Sequence, residues 1–391
     1  MRAYSFMTLR RSISLWRWIL SVPLLFSLGC DKIPELPSVE LSGDRKIEML
    51  VVNEGLFTTN TAALSAIYND GTVFWDVFEP INRRPLGDVA QSITEINGKY
   101  FIAVNNSRRI EVLDSKTFKA VGSIRYEQSG SPRYITPLTD NTALVSDLYG
   151  QLVIIRTQPP YEVLEYIPLP TPKPGIEQMA TSRGKVFGVY FDTGIAVFDA
   201  DRIRIPDMRI IDEIKISWDF GSLKPMVDFR GRVWLAHRTQ SGVRLSAIDP
   251  DSEQIVVRYD IPFAKAPAKE GDIVGMPNYN RVDIDAKGEK IFINLYRKTG
   301  TQEKLQTVYA LTLRDMQLTE YLQLPNVKMM YGMAVSPKGD VCICDCLDYT
   351  AQRGYIRVYP KAGGEVKSYK VGVYPNRIFF PNNAQNYVEK D

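Results

Sequence analysis

Short apolar runs with an alternating pattern, each broken by a Gly- or Asn-centred turn, recur along the whole of this chain. The unit starts at Glu95–Val104, Pro137–Ser146, Thr181–Val189, Asp228–Ala236, Asp285–Ile293 and Ser336–Cys344. In each, two alternating runs flank a loop of two to five residues, which predicts a hairpin because Gly and Asn reach the positive φ such turns need. A third alternating run follows, such as Arg109–Leu113 or Gly194–Phe198, then an Asp-bearing turn and a fourth, weaker run. Four short antiparallel strands recurring every roughly 40 to 55 residues are the mark of propeller blades, since a propeller repeats one supersecondary unit at a fixed period. No strand-helix alternation competes with this reading.

The chain ends supply the remaining blade. Met49–Val52, Ala63–Ile67 and Thr72–Trp75 are three runs without a preceding inner strand, and Asn376–Phe380 is one run without outer partners. Joined, they close the ring and remove its last open edge. The fold class is therefore all-β, a seven-bladed β-propeller closed by N- and C-terminal strands, over residues 46–391; a degenerate blade would make the count six or eight.

The first thirty residues read differently. Arg2, Arg10, Arg11 and Arg17 precede an apolar stretch through Ile19–Phe26 and then Ser27-Leu28-Gly29-Cys30, the order of a signal peptide, 1–29. The apolar stretch is too short for a spanning helix of about 20 residues and contains Pro23. Cys after Gly matches the bacterial lipoprotein signal, with Ser27 where that signal usually has Leu, so Cys30 is expected to carry lipid. Residues 30–45, with Pro34 and Pro37, read as the tether. The expectation is an outer-membrane lipoprotein exposed at the cell surface, touching the membrane through its anchor only. Without the four leader arginines the formal charge falls from +3 to −1, which argues against a nucleic-acid partner.

Chemistry-bearing motifs are sparse. Cys342, Cys344 and Cys346 alternate along one predicted strand, too far apart for an easy disulfide and poorly disposed to wrap a metal ion, and read as small buried residues between blades. The single histidine, His237, rules out a multi-histidine metal site and is placed in the loop after a second strand. Asp283 and Asp285 resemble a carboxylate pair, though a channel-facing residue beside a turn cap accounts for them too. No metal, cofactor or catalytic residue is assigned.

In a propeller, the loops entering each inner strand and those joining the second and third strands share one face, and a ligand is expected there. The entering positions are Gln91, Arg133, Gln178, Met226, Arg281, Tyr331 and Arg377; the loops joining second and third strands bring Asn105, Tyr149, Tyr190, His237 and Tyr349, together with Asn53, Glu54, Phe57, Arg108, Asp147, Phe191, Asp192, Arg238, Tyr296, Arg297 and Asp348. Aromatics, amides and arginines around one mouth suit a flat, partly polar ligand or a partner protein.

Val51–Phe57, Met330–Pro337, Cys344–Thr350, Gly354–Tyr359 and Val371–Asn376 resemble the YncE-like, DUF5074-type surface lipoproteins of Bacteroidota, and the resemblance covers essentially the whole mature chain. It implies a seven-bladed propeller outside the cell. One branch of those proteins captures cobalamin and cobinamide and passes them to a TonB-dependent outer-membrane transporter, so a lipid-anchored module that captures a nutrient, with a corrinoid as its first form, is the leading expectation. Two other classes compete: an extracellular enzyme of lyase or lactonase type, with Asp283, His237 and Arg281 as first suspects, and a scaffold that binds only protein.

Overall fold

The computed structural model describes residues 46–171, 175–216, 224–262, 273–275, 281–299, 302–348 and 350–381, with 273–275, 296–299 and 302–305 described by their backbone alone. Residues 1–45, on which the expected leader, Cys30 anchor and tether fall, and Tyr349 lie outside the described residues. Seven antiparallel sheets form the seven blades expected from the repeats. Blade 1 joins Ile47–Asn53, Ala63–Tyr68 and Val73–Phe74 to the C-terminal Pro375–Phe379, which is its innermost strand. The innermost strands of blades 2 to 7 are Ala90–Ile96, Pro132–Pro137, Ile176–Ser182, Met226–Val227, Val282–Ile284 and Met330–Val335.

Local chemistry explains the hairpins. Asn97 and Gly98 have φ of 49° and 68°, and Arg183 and Gly184 have 46° and 71°, the left-handed pair that matches strand twist in a two-residue turn. Both faces of each blade are apolar, because every blade is covered on two sides. Thus Phe101 and Val112 of blade 2 pack with Val145 and Val153 of blade 3. Met49 and Val51 of blade 1 pack with Cys342 and Cys344 of blade 7. Cys342, Cys344 and Cys346 are buried and free, and burial pushes the Cys342 thiol well above its usual range, as befits small apolar filling between blades.

The inner strands line the channel and have no ladder neighbour on that side, so their backbone groups need other partners. Side chains of the preceding blade supply several of them. Ser92 Oγ donates to the Arg133 carbonyl at 2.6 Å and Thr94 Oγ to that of Ile135 at 2.9 Å. Asp283 Oδ2 accepts from Val335 N–H at 2.8 Å, and Ser182 Oγ donates at 2.6 Å to the carbonyl of Gly231, in the turn that follows the inner strand of blade 5.

Ring closure depends on close backbone approach. A Cβ on Gly332, in the inner strand of blade 7, would stand 2.2 Å from the Asn376 carbonyl oxygen of the closing strand. Gly332→Ala is expected to force those strands apart and cost about 1–3 kcal/mol, as overpacking typically does, seen as a lower midpoint in denaturant unfolding; an unchanged midpoint would contradict this picture of closure.

Candidate functional site

On one face of the ring, the loop between second and third strands of blades 1, 2, 3 and 7 is bonded to the backbone just before the inner strand of the same blade. Asn105 N–H donates to Val89 O at 2.8 Å, Leu148 to Ser131 at 3.1 Å, Cys346 to Met329 at 2.9 Å and Glu54 to Tyr374 at 2.9 Å. The two loop sets therefore do share a face. Where the inner strands start, their ladders slip: the register skips Gln91, Arg133 and Tyr134, Glu177 and Gln178, Tyr331, and Asn376. Bulges re-aim side chains, and these skipped positions are the ones that meet at the channel.

There they form a knot. Arg133 is buried and donates through Nε to Glu177 at 2.9 Å and through Nη1 to Gln91 Oε1 at 2.5 Å. Gln91 Nε2 donates to the Tyr134 hydroxyl at 3.2 Å. Arg377 of blade 1 reaches Gln178 of blade 4 at 3.1 Å, and its guanidinium lies 5.2 Å from the Tyr134 ring centre. Four blades are thus tied together and the channel is bridged at this level. Burial works against the Arg133 charge, but the Glu177 carboxylate raises its pKa above the ordinary range, so it stays protonated.

Two cavities flank the knot. Below it, the inner strands of all seven blades line about 390 Å³, with Thr94, Thr136, Lys224, Asp283 and Arg377 on the walls. Lys224 Nζ donates to Asp283 there at 2.5 Å. Above it, between blades 1, 2 and 3, about 230 Å³ is enclosed by Glu54, Phe57, Val89, Gln91, Asn105, Asn106, Ser131, Arg133, Leu148 and Tyr149. Phe57 is 69% and Tyr149 40% exposed, on loops that are tightly held. Thr58 N–H donates to both Asp88 oxygens at 3.0 and 2.9 Å, and Tyr149 N–H to Asp147 Oδ1 at 2.7 Å. Val89 has φ of 59°, a left-handed conformation unusual for a β-branched residue and of the kind that gathers at ligand sites. Glu54 accepts from Tyr331 at 2.9 Å and Asn376 at 2.7 Å; burial pushes its carboxyl up and these bonds pull it partly back.

The predicted positions divide accordingly. Gln91, Arg133, Gln178, Arg377, Asn105, Tyr149 and, through Glu54, Tyr331 belong to the knot or the upper pocket. Met226 faces the lower cavity. Arg281 is buried and donates to Asn294 at 3.4 Å within its own blade. Tyr190 packs between blades 3 and 4, its hydroxyl accepting from Thr171 N–H at 2.9 Å. The three residues suspected of catalysis are not brought together: Asp283 lines the lower cavity, while His237 and Arg281 line neither. Glu177, Tyr134, Asn376, Val89 and Ser131 are additions that the sequence reading lacked. Among the described residues no group of three or more His, Cys, Asp or Glu is placed to hold a metal ion.

Residues 48–384 match the family described as "Domain of unknown function (DUF5074)". Among curated proteins no sequence matches. Solved structures share the fold. A quinonprotein alcohol dehydrogenase-like protein from Bacteroides thetaiotaomicron is 15% identical with a TM-score of 0.61, covering 86% of this chain and 78% of its own. A putative 6-phosphogluconolactonase from Bacteroides uniformis is 11% identical with a TM-score of 0.61, covering 86% and 100%. Another so described, from Bacteroides fragilis, is 10% identical at a TM-score of 0.57, covering 86% and 98%. At these identities the likeness concerns fold alone.

His237 lies in the strand Val233–Arg238 rather than in the loop beyond it, 3.1 Å from Ser246 Oγ. Burial, with Arg244 nearby, pushes its pKa down to about 4 from 6.5. Between those values the unfolded chain binds a proton that the folded chain does not, so stability rises with pH across the window and falls on acidification. Relative to His237→Gln, the wild type is expected to lose about 1–3 kcal/mol between pH 6.5 and 4 in denaturant melts. A pH-independent difference would refute the shift.

Proposed function

We propose, for a chain that belongs to the DUF5074 family, that it is an extracytoplasmic binding module: a propeller tethered by lipid on Cys30 that captures a nutrient at its upper mouth and passes it to a TonB-dependent outer-membrane transporter. The observation that carries the reading is the upper pocket, where Phe57 and Tyr149 present exposed rings over a floor of already bonded polar groups. Rigid rings on anchored loops give contact area at low entropic cost. Groups locked to one another, as Arg133 is to Glu177 and Gln91, hold a shape rather than await a proton.

In its finer form the ligand is a corrinoid, supported by the resemblance of the chain-end motifs. A pocket of about 230 Å³ lies below the size of ordinary drug-sized sites, so it would seat one arm of so large a molecule with the remainder against the rim. The anchor is supported by the basic, apolar, Gly-Cys order of residues 1–30.

Titration of the purified full chain with cobalamin and cobinamide, followed by calorimetry and visible absorption, is expected to saturate, and Phe57→Ala with Tyr149→Ala is expected to weaken binding at least tenfold. Absence of binding at high micromolar concentration of either compound removes the corrinoid form. Cys30→Ser is expected to release the protein from the membrane fraction; retention there would remove the anchor.

A further inference from the structure

The hydrogen-bonding capacity left over at the base of the upper pocket has a sign. Arg133 uses Nε on Glu177 and Nη1 on Gln91, and its Nη2 meets no acceptor among the described residues. Asn105 Oδ1 accepts from Ser131 Oγ at 2.6 Å, so the amide oxygen is engaged and Nδ2 is left to donate. Both Glu54 oxygens already accept hydrogen bonds, from Tyr331 and Asn376. At the exposed rim Asn106 gives its amide N–H to Asp88 and keeps a carbonyl. Among the residues that line the pocket the base therefore offers donors, one of them on a permanently charged guanidinium whose residue is only 6% exposed, while Phe57 and Tyr149 supply apolar walls; the unpartnered acceptors Glu177 Oε2 and Asn376 Oδ1 belong to residues behind that lining.

We propose that this pocket takes the anionic oxygen group, carboxylate or phosphate, of a ligand with a flat apolar body, the oxygens reaching Arg133 and Asn105 and the body lying against Phe57 and Tyr149. Guanidinium to oxyanion bonds are charge-assisted and about twice as strong as neutral ones, and the guanidinium here belongs to a buried residue. The inference rests on the reading of the mouth as a capture site and goes beyond it by naming the chemistry captured.

The test uses the full chain and four probes of one size: benzoate, phenyl phosphate, benzyl alcohol and benzylamine, with binding read by ligand-observed NMR titration. Either anion is expected to bind at least tenfold more tightly than benzyl alcohol, and the tighter of the two identifies carboxylate or phosphate as the preferred group. Asn105→Asp keeps the oxygen that Ser131 needs and replaces only the free donor arm by negative charge. That variant is expected to weaken both anions at least tenfold while leaving benzyl alcohol within twofold. Equal binding of the neutral or cationic probe, or anion binding unchanged in Asn105→Asp, overturns the inference while leaving the mouth a capture site. If none of the four binds at millimolar concentration the inference is overturned, and the capture reading then stands or falls on the cobalamin and cobinamide titrations.

Discussion

The buried contact between Arg133 and Glu177 is the constraint on which the site depends. Neither residue has appreciable solvent exposure, and they come from the inner strands of adjacent blades. A charge so placed requires a partner, because removing one member of a buried pair strands the other in a medium that solvates it poorly. Blades 3 and 4 are thereby held in one registry at the channel. Gln91 extends that registry to blade 2, and the Arg377 to Gln178 bond carries it across the channel from blade 1.

The consequence for the mouth is rigidity. Arg133 and Gln91 are both members of the knot and walls of the upper pocket, so the floor cannot move without breaking buried hydrogen bonds. The loops above are pinned as firmly, by Asp88 under the Phe57 loop and Asp147 under that of Tyr149. Such preorganisation lowers the cost of binding. It also separates two spaces of the ring: the lower channel is walled by hydroxyls, the Lys224 to Asp283 pair and Arg377, the upper pocket by rings, amides, the Arg133 guanidinium and the Glu54 carboxylate.

Much of the fold was legible because its signal is repeated and local. Asn97-Gly98 and Arg183-Gly184 announce their hairpins, and the unpartnered runs at the two chain ends announce closure. The site was legible only in part, for a physical reason. Alternation reports side chains within a ladder, whereas Glu177, Tyr134 and Asn376 sit where the ladder slips, two adjacent residues entering one space. A neighbour of each predicted position was therefore missed. His237 and Tyr190 show the opposite error: both are at the ends of second strands, where one residue of register decides between the mouth and the packing of two blades.

The central claim is that the knot acts as one unit, and a double-mutant cycle on Arg133→Gln and Glu177→Gln measures that directly. Denaturant unfolding is expected to show a loss of about 3–5 kcal/mol for Arg133→Gln, the usual cost of stranding a buried charge. The double variant, in which two neutral amides meet, is expected to recover a large part of that loss. Additive losses, with no recovery in the double variant, would contradict the account.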